Sequence, residues 1–209
     1  MPNRNWSVID CDDLDGLYAS VEDGRLPSQT WTWITSASLK DPTNQRLCRP
    51  GQTNLQLIGL APASHEFWGV GPDLERSERY QERKQQMRDR LARSAERAIP
   101  GFAEAIVYEE SATPITLERY LRSTGGTSYG IAGTPAQIGI GRPAPRTAID
   151  GLFLAGASTR SVHGVTHAMA GGIDAASAIL GTRAEEAVRD AHHRRASDDA
   201  SREQERVAG

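Results

Sequence analysis

The residues best suited to bind a ligand or take part in chemistry lie in one glycine-rich stretch, residues 151–159, and in residues 163–167 after it. The run Gly-Leu-Phe-Leu-Ala-Gly-Ala-Ser-Thr predicts a short buried strand and a tight glycine turn, and a helix is expected to begin near Gly164. This order places free backbone N–H groups and the positive end of a helix dipole at the carboxyl end of a strand. Ligands of open α/β sheets bind at such edges.

The reactive side chains of this stretch do not complete a familiar catalytic motif. A nucleophile elbow around Ser158 would need glycine at position 160, which is Arg160. His163 and His167 have the spacing of one helix face, but zinc would need a third ligand, and the glutamate of a His-Glu-x-x-His motif is missing. We therefore predict no metal site and name no catalytic residue. The two histidines are either ordinary polar residues or neighbours of a bound ligand.

The composition bears on which classes of protein this chain could belong to. The chain has 209 residues, 38% of them hydrophobic, and a net charge of −3. This balance gives no electrostatic argument for nucleic-acid binding, and no apolar run reaches the roughly 20 residues of a spanning helix. The N-terminus lacks a signal core, and Cys11 and Cys48 have no metal or redox spacing. We expect a cytoplasmic protein with free thiols. Membrane association stays open, although no segment of the chain argues for it.

The periodicity of the chain predicts the elements that would position the glycine-rich stretch. Residues 31–36 and 53–61 alternate large and polar side chains, which favours two antiparallel strands. Residues 73–99 carry an apolar stripe at helical spacing, and residues 105–109 are predicted to form a further strand. A short helix is expected from Thr113, the N-cap, with proline at its first position.

Several of these segments resemble a known family. They are residues 38–42 with the strand at 53–61, Thr-Pro-Ile-Thr-Leu-Glu-Arg-Tyr at 113–120, residues 129–137, and residues 151–159 with Gly164 and Val165. In this order they resemble the C-terminal part of the FAD-dependent phytoene desaturase-like oxidoreductases, which include carotenoid isomerases and retinol saturase-like enzymes. The resemblance covers roughly residues 30–181.

The resemblance implies an α/β protein that is α+β within this fragment. A partial substrate-domain sheet with a covering helix would be followed by the last strand and helix of an FAD-binding Rossmann-like domain. The implied divisions are a polar N-terminal segment, the partial substrate domain, the C-terminal part of the FAD domain, and a charged tail, helical or disordered. They span residues 1–30, 31–112, 113–181 and 182–209.

The resemblance also assigns cofactor-binding residues for FAD. Gly156, Ala157 and Ser158 would line the ribityl and phosphate side, whereas Gly164, Val165 and Thr166 would face the isoalloxazine ring. A reduced flavin carries negative charge near N1 and O2, which the N–H groups at a helix N-terminus stabilise.

Two departures from the family pattern shape the expected function. The Gly-x-Gly-x-x-Gly turn that binds the ADP part of FAD is missing, since Gly69 and Gly71 lack the third glycine. Bulkier residues 160–163 stand where the family has a proline- and glycine-rich turn. We expect a truncated chain that is inactive without a partner chain carrying the N-terminal nucleotide-binding half.

The function implied is that of a flavoprotein of the carotenoid-biosynthesis type, which desaturates, saturates or isomerises a polyene or other hydrophobic substrate. Two alternatives stay open: a non-catalytic module that binds lipid or protein, and a non-functional product of a truncated gene. Trp31, Trp33 and Trp68 could line a lipid pocket, or they could simply belong to the core.

Overall fold

The protein is mixed α+β, as predicted, and divides into two compact units, Met1–Ser128 and Tyr129–Gly209. The structure is a computed structural model that describes residues 3–184 and 186–192. The last part of the predicted charged tail lies outside the described residues.

The first unit contains a small sheet and several helices. In chain order they are β1 (Trp6–Asp10), α1 (Leu14–Glu22), β2 (Thr30–Thr35), α2 (Ala37–Lys40), β3 (Gln56–Gly59), α3 (His65–Trp68), α4 (Glu78–Ala98) and α5 (Pro114–Leu121). The three strands are antiparallel in the order β1-β2-β3. The predicted antiparallel pairing of residues 31–36 with 53–61 is confirmed. β1 and α1 were missed, because residues 1–30 show too little apolar periodicity to stand out.

The two faces of the sheet differ in burial because side chains alternate along a strand. Thr30, Thr32 and Ile34 of β2 are buried on the side that α4 covers. The register places Ile9, Trp33 and Ile58 on the opposite side, where all three are exposed. Here Trp31 donates from its indole N–H to the Ser7 hydroxyl at 2.8 Å. The sheet therefore has one packed face and one open aromatic face.

The core of the first unit lies between α3, α4 and α5. Its members are Phe67, Trp68, Val70, Tyr80, Met87 and Ile115. Trp68 is fully buried, and its indole N–H donates to the Pro62 carbonyl at 2.7 Å. Of the three tryptophans considered above, Trp68 is thus a core residue, whereas Trp31 and Trp33 lie on the open face of the sheet.

The amphipathic helix predicted over residues 73–99 is α4, which begins after its N-cap Ser77. The Ser77 hydroxyl accepts from the backbone N–H of Tyr80 at 3.1 Å. At the other end, the Glu96 carboxylate accepts from the backbone N–H groups of Ala103 and Gly101, and these bonds lower the pKa of Glu96.

The predicted cap of α5 is confirmed. Thr113 is the N-cap, Pro114 opens the helix, and the Thr113 and Thr116 side chains bond each other's backbone N–H in a capping box. The hydroxyl of Tyr80 lies 3.1 Å from Thr113 Oγ1 and 3.3 Å from Thr116 Oγ1. One buried hydroxyl therefore joins α4 to the start of α5.

Replacing Tyr80 by phenylalanine is expected to lower the free energy of unfolding by about 1 kcal/mol, the usual net worth of a neutral hydrogen bond. The ring remains to fill the core, so only the bond to the capping box is lost. Urea unfolding followed by tryptophan fluorescence measures the change. Tyr18→Phe is the control, because that ring is exposed on α1 and the change should cost nothing measurable. Equal effects for the two variants would contradict the assigned role of the Tyr80 hydroxyl.

The strand predicted at residues 105–109 is wrong. Residue 105 ends a turn that begins at residue 100, and residues 106–109 continue as irregular backbone, with Val107 and Tyr108 exposed. In the described part of the chain they pair with no strand. A short apolar run forms a strand only when a neighbouring strand receives its hydrogen bonds.

The second unit is built around one long helix, α6 (Val165–Leu180). Before it come short 3₁₀ turns at Pro135–Gln137 and Gly139–Gly141 and a small hairpin closed by an antiparallel bridge between Arg146 and Phe153. Residues 186–192 are helical.

The buried strand predicted at the start of residues 151–159 is also wrong. Only the single bridge at Phe153 is formed, and Leu152 and Leu154 are 44% and 36% exposed. A strand is buried only when neighbouring strands and a covering layer pack on it. Within the residues described, nothing supplies them.

Candidate functional site

The glycine turn of the second unit is held by a buried threonine. Thr159, 2% exposed, donates from both its backbone N–H (3.1 Å) and its hydroxyl (2.8 Å) to the carbonyl of Gly156. Gly156 has φ +96°, a conformation that other residues rarely adopt. The turn predicted from the glycine spacing is therefore present, although the strand before it is not.

The helix predicted to begin near Gly164 does begin there. Gly164 is the N-cap of α6 with φ +95°, and no side chain among the described residues caps the helix. The first N–H groups of a helix have no intrahelical acceptor. Val165 and Thr166, which follow, are exposed. The start of α6 thus presents backbone donors to its surroundings.

Close packing at Gly171 joins α6 to the turn. A Cβ atom at this position would lie 3.2 Å from Thr159 Oγ1, 3.3 Å from the Gly156 nitrogen and 3.4 Å from Ser161 Cβ. The Ser161 hydroxyl also donates to the Asp174 carboxylate at 2.7 Å. The turn and α6 therefore form a single packed substructure.

This substructure contains all six residues predicted to bind the cofactor. Gly156 and Ala157 are half-buried in the turn, and Ser158 is exposed beside them. Gly164, Val165 and Thr166 form the exposed start of α6. Sequence order and the Gly171 contact bring the two groups into one turn–helix arrangement, and their role toward a cofactor stays a prediction.

Two contacts hold the loop of residues 129–141, which precedes this arrangement in the chain, against the glycine turn and the start of α6. The rings of Tyr129 and His163 lie with centroids 4.7 Å apart at an angle of 36°. A Cβ at Gly130 would lie 2.5 Å from the Ser158 hydroxyl oxygen, so the backbone of the loop passes directly over Ser158. Both aromatic residues were visible in the sequence, but their pairing was not, because 34 positions separate them.

Sequence reasoning missed a histidine–carboxylate pair in the first unit. His65 Nε2 on α3 lies 2.7 Å from Glu118 Oε2 on α5, with side chains 38% and 24% exposed. A pair of this kind can accept or deliver a proton. Nothing in the sequence indicates it, since the two residues are far apart along the chain. It belongs to the same helix cluster as the Tyr80 hydroxyl network.

The described residues offer neither a metal-binding cluster nor a membrane-spanning helix. Residues 3–184 and 186–192 contain no cluster of three or more histidine, cysteine or acidic side chains that could hold a metal ion. Over the same residues, no helix has the length and apolar composition needed to cross a membrane.

Comparison with known proteins gives one partial similarity. Over 89 residues, the chain is 38% identical to the chloroplastic prolycopene isomerase of Daucus carota. The match takes in 41% of this chain and only 14% of the isomerase. None of the family models and none of the solved structures matches the chain. The similarity supports the carotenoid isomerase resemblance over a limited segment.

Proposed function

We propose that this chain supplies the flavin-facing turn and helix of an FAD-dependent oxidoreductase or isomerase that acts on a polyene or similar hydrophobic substrate. The observation that carries the proposal is the packed turn–helix arrangement, in which Gly156 and Gly164 both have positive φ and α6 meets the turn at Gly171. The partial similarity to prolycopene isomerase supports the same class of protein.

The residues present suit the cofactor. A Cβ at Gly156 would meet no described atom within 4 Å, so space remains beside the backbone of the turn. The uncapped start of α6 offers N–H donors to a group that carries partial negative charge. When bound, FAD would supply the hydride chemistry. The chain's own residues would hold and orient the ring, with Val165 against it and Gly164 and Thr166 beside it.

Stable flavin binding is proposed to need a nucleotide-binding half on a partner chain. The 209 residues contain no Gly-x-Gly-x-x-Gly turn for the ADP part of FAD. α6 has an exposed apolar stripe at helical spacing, formed by Val165, Met169, Ile179 and Leu180. The apolar stripe of a helix normally packs against another element. The partner half would cover this stripe.

The first experiment is an absorbance scan of the purified chain across the flavin bands, before and after addition of FAD and desalting. The same scan follows co-expression with the nucleotide-binding half of a prolycopene isomerase. Retained flavin bands in either sample are the expected result. Flat spectra in both samples would contradict the proposal.

Val165→Gln separates flavin contact from folding. Val165 is 80% exposed, so the change should leave the melting temperature unaltered. Loss of the apolar contact with the ring is expected to weaken FAD binding about tenfold. Ile149→Gln is the control, since that residue is 65% exposed in the hairpin closed by Arg146 and Phe153 and lies outside both the glycine turn and the exposed stripe of α6. Equal losses for the two variants would argue against a ring at the start of α6.

A non-catalytic lipid-binding module is the second candidate, favoured by the open sheet face of Ile9, Trp33 and Ile58. Under this reading, a fatty acid or polyene should quench tryptophan fluorescence while FAD has no effect. Trp33→Ala should weaken the quenching, because Trp33 lies on that face.

A further inference from the structure

Arg142 is a buried arginine that binds only backbone carbonyl groups among the described residues. The residue is only 3% exposed. Nε donates to the Gln137 carbonyl at 2.9 Å, one terminal nitrogen to Ala157 at 2.8 Å, and the other to Ile131 at 2.6 Å. One guanidinium therefore joins the loop to the glycine turn.

Burying a charged side chain in this way costs folding free energy. A buried charge is normally paired with an opposite charge, and its desolvation is only partly offset by neutral acceptors. The loop of residues 129–141 contains 3₁₀ turns but no strand that could fix it by a ladder of hydrogen bonds. The Arg142 guanidinium holds the loop in place with a single side chain, because its planar fork of donors can bind several carbonyls at once.

The contact with Ala157 also fixes the orientation of the next amide. The peptide bond is planar and trans, so the carbonyl of Ala157 and the N–H of Ser158 lie in one plane and point in opposite directions. With the carbonyl held inward on Arg142, the Ser158 N–H is directed away from the guanidinium. Within the described residues this N–H has no hydrogen-bond acceptor, and Ser158 is exposed.

We propose that Arg142 is a positioning residue that directs the Ser158 amide outward as a hydrogen-bond donor to a phosphate oxygen of the cofactor. The inference rests on the proposed function for the ligand, but the clamp on the turn does not depend on it. Free phosphate and a flavin phosphate share the same oxygen chemistry, so the test must separate them.

The first arm measures the clamp without any cofactor. Amide hydrogen exchange at Thr159, whose N–H donates to Gly156 within the turn, is compared in the unsubstituted chain and in Arg142→Met. Exchange is expected to become at least about tenfold faster, since a hydrogen bond to a charged group is lost. Arg142→Lys should restore part of the protection. Arg146→Met is the matched control, because Arg146 donates to the Ala178 carbonyl and stacks on Phe153 without touching the turn.

The second arm measures ligand affinity in the assembly that retains flavin. Arg142→Met is expected to weaken FAD about tenfold and riboflavin, which has no phosphate, much less, while Arg146→Met changes neither. Equal weakening of both flavins would overturn the assignment of the phosphate. Competition by inorganic phosphate alone, with no preference for FAD, would identify a free-anion site and overturn it as well.

The two arms keep the inference and the proposed function distinguishable. Unchanged Thr159 exchange in Arg142→Met overturns the clamp, whatever the flavin result. Faster exchange with no flavin retained by the unsubstituted protein and its partner half overturns the proposed function and the phosphate contact, and it supports the clamp.

Discussion

Gly126→Ala is expected to destabilise the first unit by roughly 3 kcal/mol or more. Gly126 is buried with φ +65°, and a Cβ there would lie 2.1 Å from the Pro114 carbonyl oxygen and 2.4 Å from its carbon. These atoms belong to the first turn of α5, so the overlap is with backbone and not with a side chain that could rotate away. Relief would require α5 to leave the capping box at Thr113 and the Tyr80 hydroxyl.

The neighbouring glycine provides the control. Gly125 has almost the same backbone conformation, φ +60°, but a Cβ there would meet no described atom within 4 Å. Gly125→Ala should therefore cost only the left-handed strain, roughly 1 kcal/mol. Urea unfolding followed by the fluorescence of buried Trp68 measures both variants. Similar losses at the two positions would show that the approach to Pro114 is not tight.

Gly171→Leu is expected to separate α6 from the glycine turn and to abolish flavin retention. A Cβ at this position already approaches Thr159, Gly156 and Ser161 within 3.4 Å, so the remaining leucine atoms have no space. Overpacking of this kind costs about 1–3 kcal/mol. Displacement of α6 also moves Gly164–Thr166 relative to Gly156–Ser158, which would divide the proposed site. Thermal unfolding and the flavin absorbance scan give the two readouts.

Substitutions at Gly172 are the control for Gly171, because Gly172 lies on the exposed side of α6 and does not pack against the turn. A Cβ here would meet no described atom within 4 Å, so Gly172→Ala should stabilise α6 by about 0.5–1 kcal/mol through helix propensity. Gly172→Leu should preserve the fold of the isolated chain but reduce flavin retention by the assembly, if the partner half covers the exposed stripe. Unaltered retention in Gly172→Leu would place the partner elsewhere.

Local signals in the sequence determined several elements correctly. The cap of α5 at Thr113, the period of α4 and the start of α6 at Gly164 all depend on residues within a few positions of one another. Capping, proline geometry and helical spacing are local interactions, and they act in the same way in any fold. The alternation in β2 and β3 was equally readable, because one face of the sheet is covered by α4.

Only the tertiary structure decided the contacts between distant segments. Four contacts join residues that sequence spacing does not relate. They are the pairing of β1 with β2, the His65–Glu118 pair, the approach of Gly126 to Pro114, and the hydrogen bonds of Arg142 to the loop and the glycine turn. The strands predicted at residues 105–109 and at the start of residues 151–159 failed for the same reason, since a strand is completed by hydrogen bonds to a neighbour and not by its own residues. The sequence by itself thus determined the turns and helices of the candidate site, and long-range packing determined which groups they present.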